Sequence, residues 1–76
     1  MGEMRSICAL EPGQCGVVRQ LLNTGAIRRR LQDIGMIQGT EVECLGRSPA
    51  GDPSAYRIRG AVIAIRSEDA QGVLIE

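Results

Sequence analysis

The chain has no Lys, no His, no Trp and no Phe, and a single Tyr in 76 residues. Each absence excludes something. Without His, and with Cys8, Cys15 and Cys44 widely spaced and no Cys-x-x-Cys, there is no zinc-binding signature. No Ser or Cys stands beside a plausible base in the sequence, which argues against nucleophilic catalysis. With one aromatic, Tyr56, neither a proline-peptide groove nor a base-stacking surface can be built. The glycines around Gly13-Gln14-Cys15-Gly16 lack the Lys-Ser/Thr of a phosphate loop and read as turn glycines. No apolar run approaches the roughly 20 residues of a membrane span. The opening Met1-Gly2-Glu3-Met4-Arg5-Ser6 fits the loose myristoylation pattern, which matches by chance too often to carry weight. These features read as a cytosolic chain, with no direct membrane insertion.

What is present is an aliphatic core and arginine. Eight Ile, six Leu and five Val must supply the interior, a composition that suits strands. Nine Arg balance nine Asp plus Glu, for a net charge of zero, which argues against a general nucleic-acid binder. At this length one domain over residues 1–76 is expected, with a stability of about 3–5 kcal/mol. Three cysteines in a chain of this kind fit free thiols in a reducing compartment. Cys44 shares strand parity with Val42 and reads as buried, Cys8 as the same, and Cys15 as exposed in a turn.

The pattern along the chain is that of short strands. Tyr56 and Ile58 alternate with Arg57 and Arg59, but beyond Gly60 the apolar positions are Ile63 and Ile65, on the opposite parity. One strand cannot keep a face buried through a parity change, so Gly60 marks a tight turn or bulge between two strands. Cys15–Leu22, Glu41–Gly46 and Val73–Ile75 read as further strands. Ser6–Leu10 is a short apolar segment, and Arg47–Pro53 a loop holding two prolines. Gly39 sits where a turn wants positive φ.

Residues 25–35 form the one full helix. Thr24 is the expected N-cap, Ile27, Leu31 and Ile34 the buried stripe at i, i+4 and i+7, and Gly35 the left-handed stop. Arg30 lies about 60° to one side of that stripe, so its stem is expected to pack and its head to find a carboxylate. Arg28 and Arg29 point to the side and outward. Ser67–Ala70 reads as a single capped helical turn. The layout is mainly β with one short helix, about five strands in all, an SH3-like roll or an OB-type barrel.

Read in order, Leu10-x-Pro12-Gly13-Gln14-x-Gly16-x-Val18, Arg28-Arg29-Arg30-Leu31-x-Asp33-Ile34-Gly35-Met36 and Gly39-Thr40-x-Val42 resemble the ferrous iron transport protein A (FeoA) family. The resemblance continues through Ser48-Pro49-Ala50-Gly51-Asp52-Pro53, Tyr56-x-Ile58-Arg59-Gly60, Ile63-Ala64-Ile65-Arg66 and Glu68-x-Ala70. Ala61, where the family often has an aromatic, and Cys15 and Cys44 depart from it. The resemblance implies an SH3-like small β-barrel. It implies a cytosolic, non-enzymatic accessory of a bacterial ferrous iron uptake system, whose partner is the membrane permease with its cytosolic GTPase domain. The same domain type ends the repressors of the diphtheria toxin repressor class. A second reading is therefore a stand-alone metal-linked regulatory domain that binds a transition metal ion.

A contact surface for that partner is expected to join Arg28 and Arg29, the loop residues Arg47, Pro49, Asp52 and Pro53, and Arg57. Thr24, Arg30, Leu31, Gly35, Gly39 and Gly60 are expected to be structural. Neither a cofactor nor a tight metal site is expected, because Glu41, Glu43, Asp52, Glu68 and Asp69 are scattered. An unpaired sheet edge would allow pairing with the permease or with another copy.

Overall fold

In the computed structural model, which describes residues 4–76, the alternating segments form six antiparallel strands. Residues 1–3, which hold the glycine of the loose myristoylation pattern, lie outside the described residues. β1 is Arg5–Ser6, β2 Cys15–Leu21, β3 Glu41–Arg47, β4 Ser54–Ile58, β5 Ala61–Ile65 and β6 Val73–Ile75. The helix α1 spans Gly25–Asp33 and the single turn α2 spans Ser67–Ala70. The spatial order is β1-β6-β2-β3-β4-β5, so β1 and β5 are the free edges. The mainly-β architecture is the one expected, with one strand more than the expected five. The extra strand is β1, whose two residues are too short to show a period-2 pattern.

The parity argument at Gly60 holds. β4 and β5 pair from Ile58↔Ala61 to Ser54↔Ile65, leaving Arg59 and Gly60 as a two-residue turn. Both have positive φ (51° and 82°), which is the signature of the type I′ turn whose twist matches the flanking strands. Elsewhere the register shifts between Val18 and Gln20 on β2 and between Cys44 and Gly46 on β3. Such bulges bend a sheet and let it curl around a core.

That core is mainly aliphatic and includes Tyr56. Ile7, Val18, Val42, Ile58, Val73 and Ile75 are fully buried. Each contributes roughly 1.5–3 kcal/mol by leaving water. Ile7 comes from a 3-10 turn, Ile7–Ala9, and its carbonyl accepts the Tyr56 hydroxyl at 3.4 Å. At Gly16 the backbone comes so close to β6 that an added Cβ would stand 2.5 Å from Ile75 Cδ1. Glycine is what allows β2 to approach β6 there.

The helix is attached more sparingly than its stripe suggests. Leu31 is buried and Ile34 half-buried, but Ile27 is 37% exposed. The expected three-residue stripe is thus corrected to an anchor at its C-terminal half, because the first turn of α1 stands off the sheet and leaves a groove. Thr24 occupies the N-cap position in extended backbone, yet its side chain makes no capping bond. Arg28 secures this entry instead: its Nη1 donates to Leu21 O at 2.8 Å and to Asn23 O at 3.4 Å.

The far end of α1 is a Schellman stop. Gly35 has φ 99°, its N–H donates to Gln32 O at 3.0 Å, and Met36 N–H donates to Leu31 O at 2.9 Å. Met36 is fully buried beside Leu31 in the core. Gly39 has φ 91°, as its turn position anticipated. Among the described residues α2 is capped from afar, with Asp52 Oδ1 accepting Ser67 N–H at 2.8 Å.

Candidate functional site

The residues expected to form one contact surface are distributed over the molecule. Arg28 is engaged with the end of β2, beside Arg19, Gln32 and Gln38. Arg29 is exposed on α1 and makes no ion pair among the described residues. Arg47 Nη2 donates to Cys8 O at 3.2 Å, tying the start of the proline loop to the N-terminal 3-10 turn. In that loop Pro49 is exposed, Asp52 caps α2, and Pro53 turns inward to line a groove under α1. Arg57 stands on the outer face of β4, paired across the strands with Glu43 at 3.2 Å. These residues sit on separate elements: Arg28 and Arg29 on α1, Arg47 on β3, Arg57 on β4, and Pro49, Asp52 and Pro53 in the loop between β3 and β4.

Arg30, expected to be structural, is exposed on α1, and the carboxylate expected for it is missing. Among the described residues the ion pairs are Arg19 with Glu76 and Arg57 with Glu43. Its guanidinium instead borders the groove.

That groove, about 590 Å³ in volume, has no counterpart among the sequence-based expectations. Ile27 and Leu31 of α1 and Ile34 at its C-cap form one wall. Ile63, Ala64 and Ile65 of β5 form the other, with Pro53 nearby and Arg66, Glu68 and Asp69 toward α2. The only signal in the sequence was Ile27 itself, and its i−4 spacing from Leu31 made it look like core.

A second concavity gathers Glu41, Glu43, Arg57, Arg59 and Gly60. Cys15 pairs with Glu43 across β2 and β3. Desolvation first, and the charges of Glu41 and Glu43 after it, hold its thiol above the usual cysteine range. A raised thiol is a poor nucleophile at neutral pH. Cys8, Cys15 and Cys44 are all free thiols, and Cys8, read as buried, is half-buried with its Sγ 3.4 Å from Ser67 O. Among the described residues no group of three or more His, Cys, Asp or Glu side chains is placed to share a metal ion. No helix among them is long and apolar enough to cross a membrane.

With this geometry in hand, comparison with known proteins is informative. The sequence profile of the FeoA domain matches residues 5–76. The Fe(2+) transport protein A/Fe(2+) transporter FeoB fusion protein of Porphyromonas gingivalis is 28% identical over 67 residues, 88% of this chain. This chain spans only 8% of that relative's length. The solution structure of an FeoA-like protein from Clostridium acetobutylicum superposes with a TM-score of 0.89 at 30% identity, covering 100% of this chain and 88% of that one.

The Stenotrophomonas maltophilia FeoA complexed with zinc, described as a procaryotic SH3 domain protein, has a TM-score of 0.83 at 25% identity over 93% of this chain and 88% of its own. A manganese-dependent transcriptional repressor shares the fold over 37% of its length, with a TM-score of 0.87 at 20% identity. The open six-stranded sheet is therefore SH3-like, and the chain belongs to the FeoA family, which is linked to ferrous iron transport.

Proposed function

We propose that this chain is a small cytosolic accessory protein of a bacterial ferrous iron uptake system. It acts by contact with the membrane permease and its GTPase domain, without catalysing a reaction. The observation that carries this reading is the Porphyromonas gingivalis relative, in which an Fe(2+) transport protein A segment and the transporter FeoB are one polypeptide. Fusion holds two modules at high effective concentration, which is useful where they work in contact. The proposed polar contact residues are Arg29, which is exposed, together with Arg28, Arg47, Pro49, Asp52, Pro53 and Arg57.

The test is a pull-down and calorimetric titration against the purified cytosolic GTPase-bearing region of the permease. Stoichiometric binding that weakens in the Arg29→Glu variant is expected; no binding by the wild-type chain would refute the reading. The zinc complex of the Stenotrophomonas relative favours a second reading, metal-linked regulation. Stoichiometric uptake of Zn²⁺ or Fe²⁺ by the isolated chain would select it.

A further inference from the structure

The geometry points to β5 and the groove beside it as a docking site for an extended, apolar segment of the permease's cytosolic region, which adds as a further strand to the sheet. This rests on the permease reading above and specifies where and how that contact is made.

Two observations meet at β5. The first is its unpaired backbone. In a two-residue hairpin the pair flanking the turn, Ile58 and Ala61, exchanges hydrogen bonds, as do Tyr56–Ile63 and Ser54–Ile65. The alternate residues Val62 and Ala64 then direct their N–H and C=O groups away from β4, and β5 is the edge of the sheet. No turn or loop bond reaches either amide. Natural edges are usually blunted by Lys, Pro, inward charges or bulges. Ala61–Ile65 has none of these: it contains no charge and no proline, its pairing with β4 is unbroken, and Val62 is 62% exposed.

The second observation is the groove, which runs along this same edge between β5 and α1. A strand added at the ordinary spacing of about 4.8 Å would carry every second side chain over it. Ile27, Ile34 and Ile63 would receive those side chains, and Ile27 is exposed to do so. Backbone bonds then supply affinity and the groove supplies selection, as in other strand-addition sites. The groove walls carry Arg30 and Arg66 against Glu68 and Asp69, two charges of each sign, so they favour a segment whose middle is uncharged.

A second copy of β5 fits less well. Antiparallel pairing about a two-fold axis would keep both α1 helices on the same face of the joined sheet. Each α1 carries Arg28, Arg29 and Arg30 against Asp33 alone. Two such helices facing each other would repel, whereas a separate segment brings no such helix.

The test titrates the cytosolic GTPase-bearing region of the permease into the wild-type chain and into Val62→Pro, Ala64→Pro and Ile27→Asp. Each proline removes one outward N–H and leaves the β4 ladder bonds of Ala61, Ile63 and Ile65 in place. Binding at least tenfold weaker in all three variants supports the proposal. Amide exchange on the wild-type chain reports independently of whether a variant folds: the Val62 and Ala64 amides should become at least tenfold slower on adding the partner. Wild-type binding with those two amides unprotected would overturn the docking site and leave the permease reading standing. No wild-type binding would overturn the permease reading itself. Association of the chain with itself that protects Val62 and Ala64 would assign the edge to a second copy and overturn the proposal.

Discussion

The strand body and the helix α1 are held by very different means. In the body, side chains from β2, β3, β4 and β6 and from the 3-10 turn meet at one centre, and Val18, Val42, Ile58, Val73 and Ile75 have no solvent contact. α1 places one buried residue, Leu31, against that centre and holds its two ends by hydrogen bonds, from the Arg28 guanidinium to backbone carbonyls at one end and through the Gly35 stop at the other. The body is held by its packed centre; the helix is a bracket set beside it. This difference explains the groove under α1. A bracket pinned at its ends and by Leu31 in its C-terminal half leaves uncovered surface, which a packed helix would have filled.

The comparison can be broken by mutation. Ile58→Ala in the body should have the largest effect, about 2–5 kcal/mol, comparable with the whole stability of a domain this small. Urea denaturation should find the variant largely unfolded in dilute buffer. Leu31→Ala deletes an equally buried aliphatic group, about 2–3 kcal/mol, but its loss should be local. Amide exchange should show α1 losing protection while β2 and β3 retain theirs; simultaneous loss across the sheet would mean that helix and body are one unit.

Gly16→Ala sharpens the picture of the body, since its Cβ would press on Ile75; a cost of about 1–3 kcal/mol should appear as a lower urea midpoint. Arg28→Ala tests the bracket alone. Losing two exposed side-chain bonds to backbone carbonyls should cost about 0.5–1.5 kcal/mol, with faster exchange confined to the start of α1.

The smallest effect concerns pH. Burial first of all raises the Tyr56 phenol above its ordinary value of 10.0 in the folded chain. Below about pH 10 both states keep the proton and this group confers no pH dependence. Above it the unfolded chain loses the proton first, so unfolding is favoured and stability falls as pH rises. Tyr56→Phe should flatten that alkaline decline, measured as urea midpoints at about pH 9 and about pH 11, since every other group is common to both proteins.

Much of the body could be read in advance. The parity switch across Gly60 located the β4–β5 hairpin, because side-chain alternation is a local consequence of strand geometry. Gly35 located the end of α1 for a similar reason, since only a left-handed residue completes that stop. The candidate site was harder to see. Ile27 has the spacing of a core residue, and its exposure depends on how far the first turn of α1 stands from β5, a distance no local pattern encodes. Asp52 looked available for a partner and is bonded to Ser67, 15 residues away in sequence. Arg28 looked equally available for a partner and is bonded to two backbone carbonyls. β1 has only Arg5 and Ser6, too few for any periodicity to register.

The sequence by itself determined that this is a small β protein with an aliphatic interior and one full helix. Those properties follow from composition and from periods of two and of about four residues, which neighbouring residues impose on each other. Only the tertiary structure decided which strand became the free edge, which isoleucine was left uncovered, and which arginines were already engaged. These depend on contacts between residues far apart in the chain, and such contacts leave no periodic trace in it.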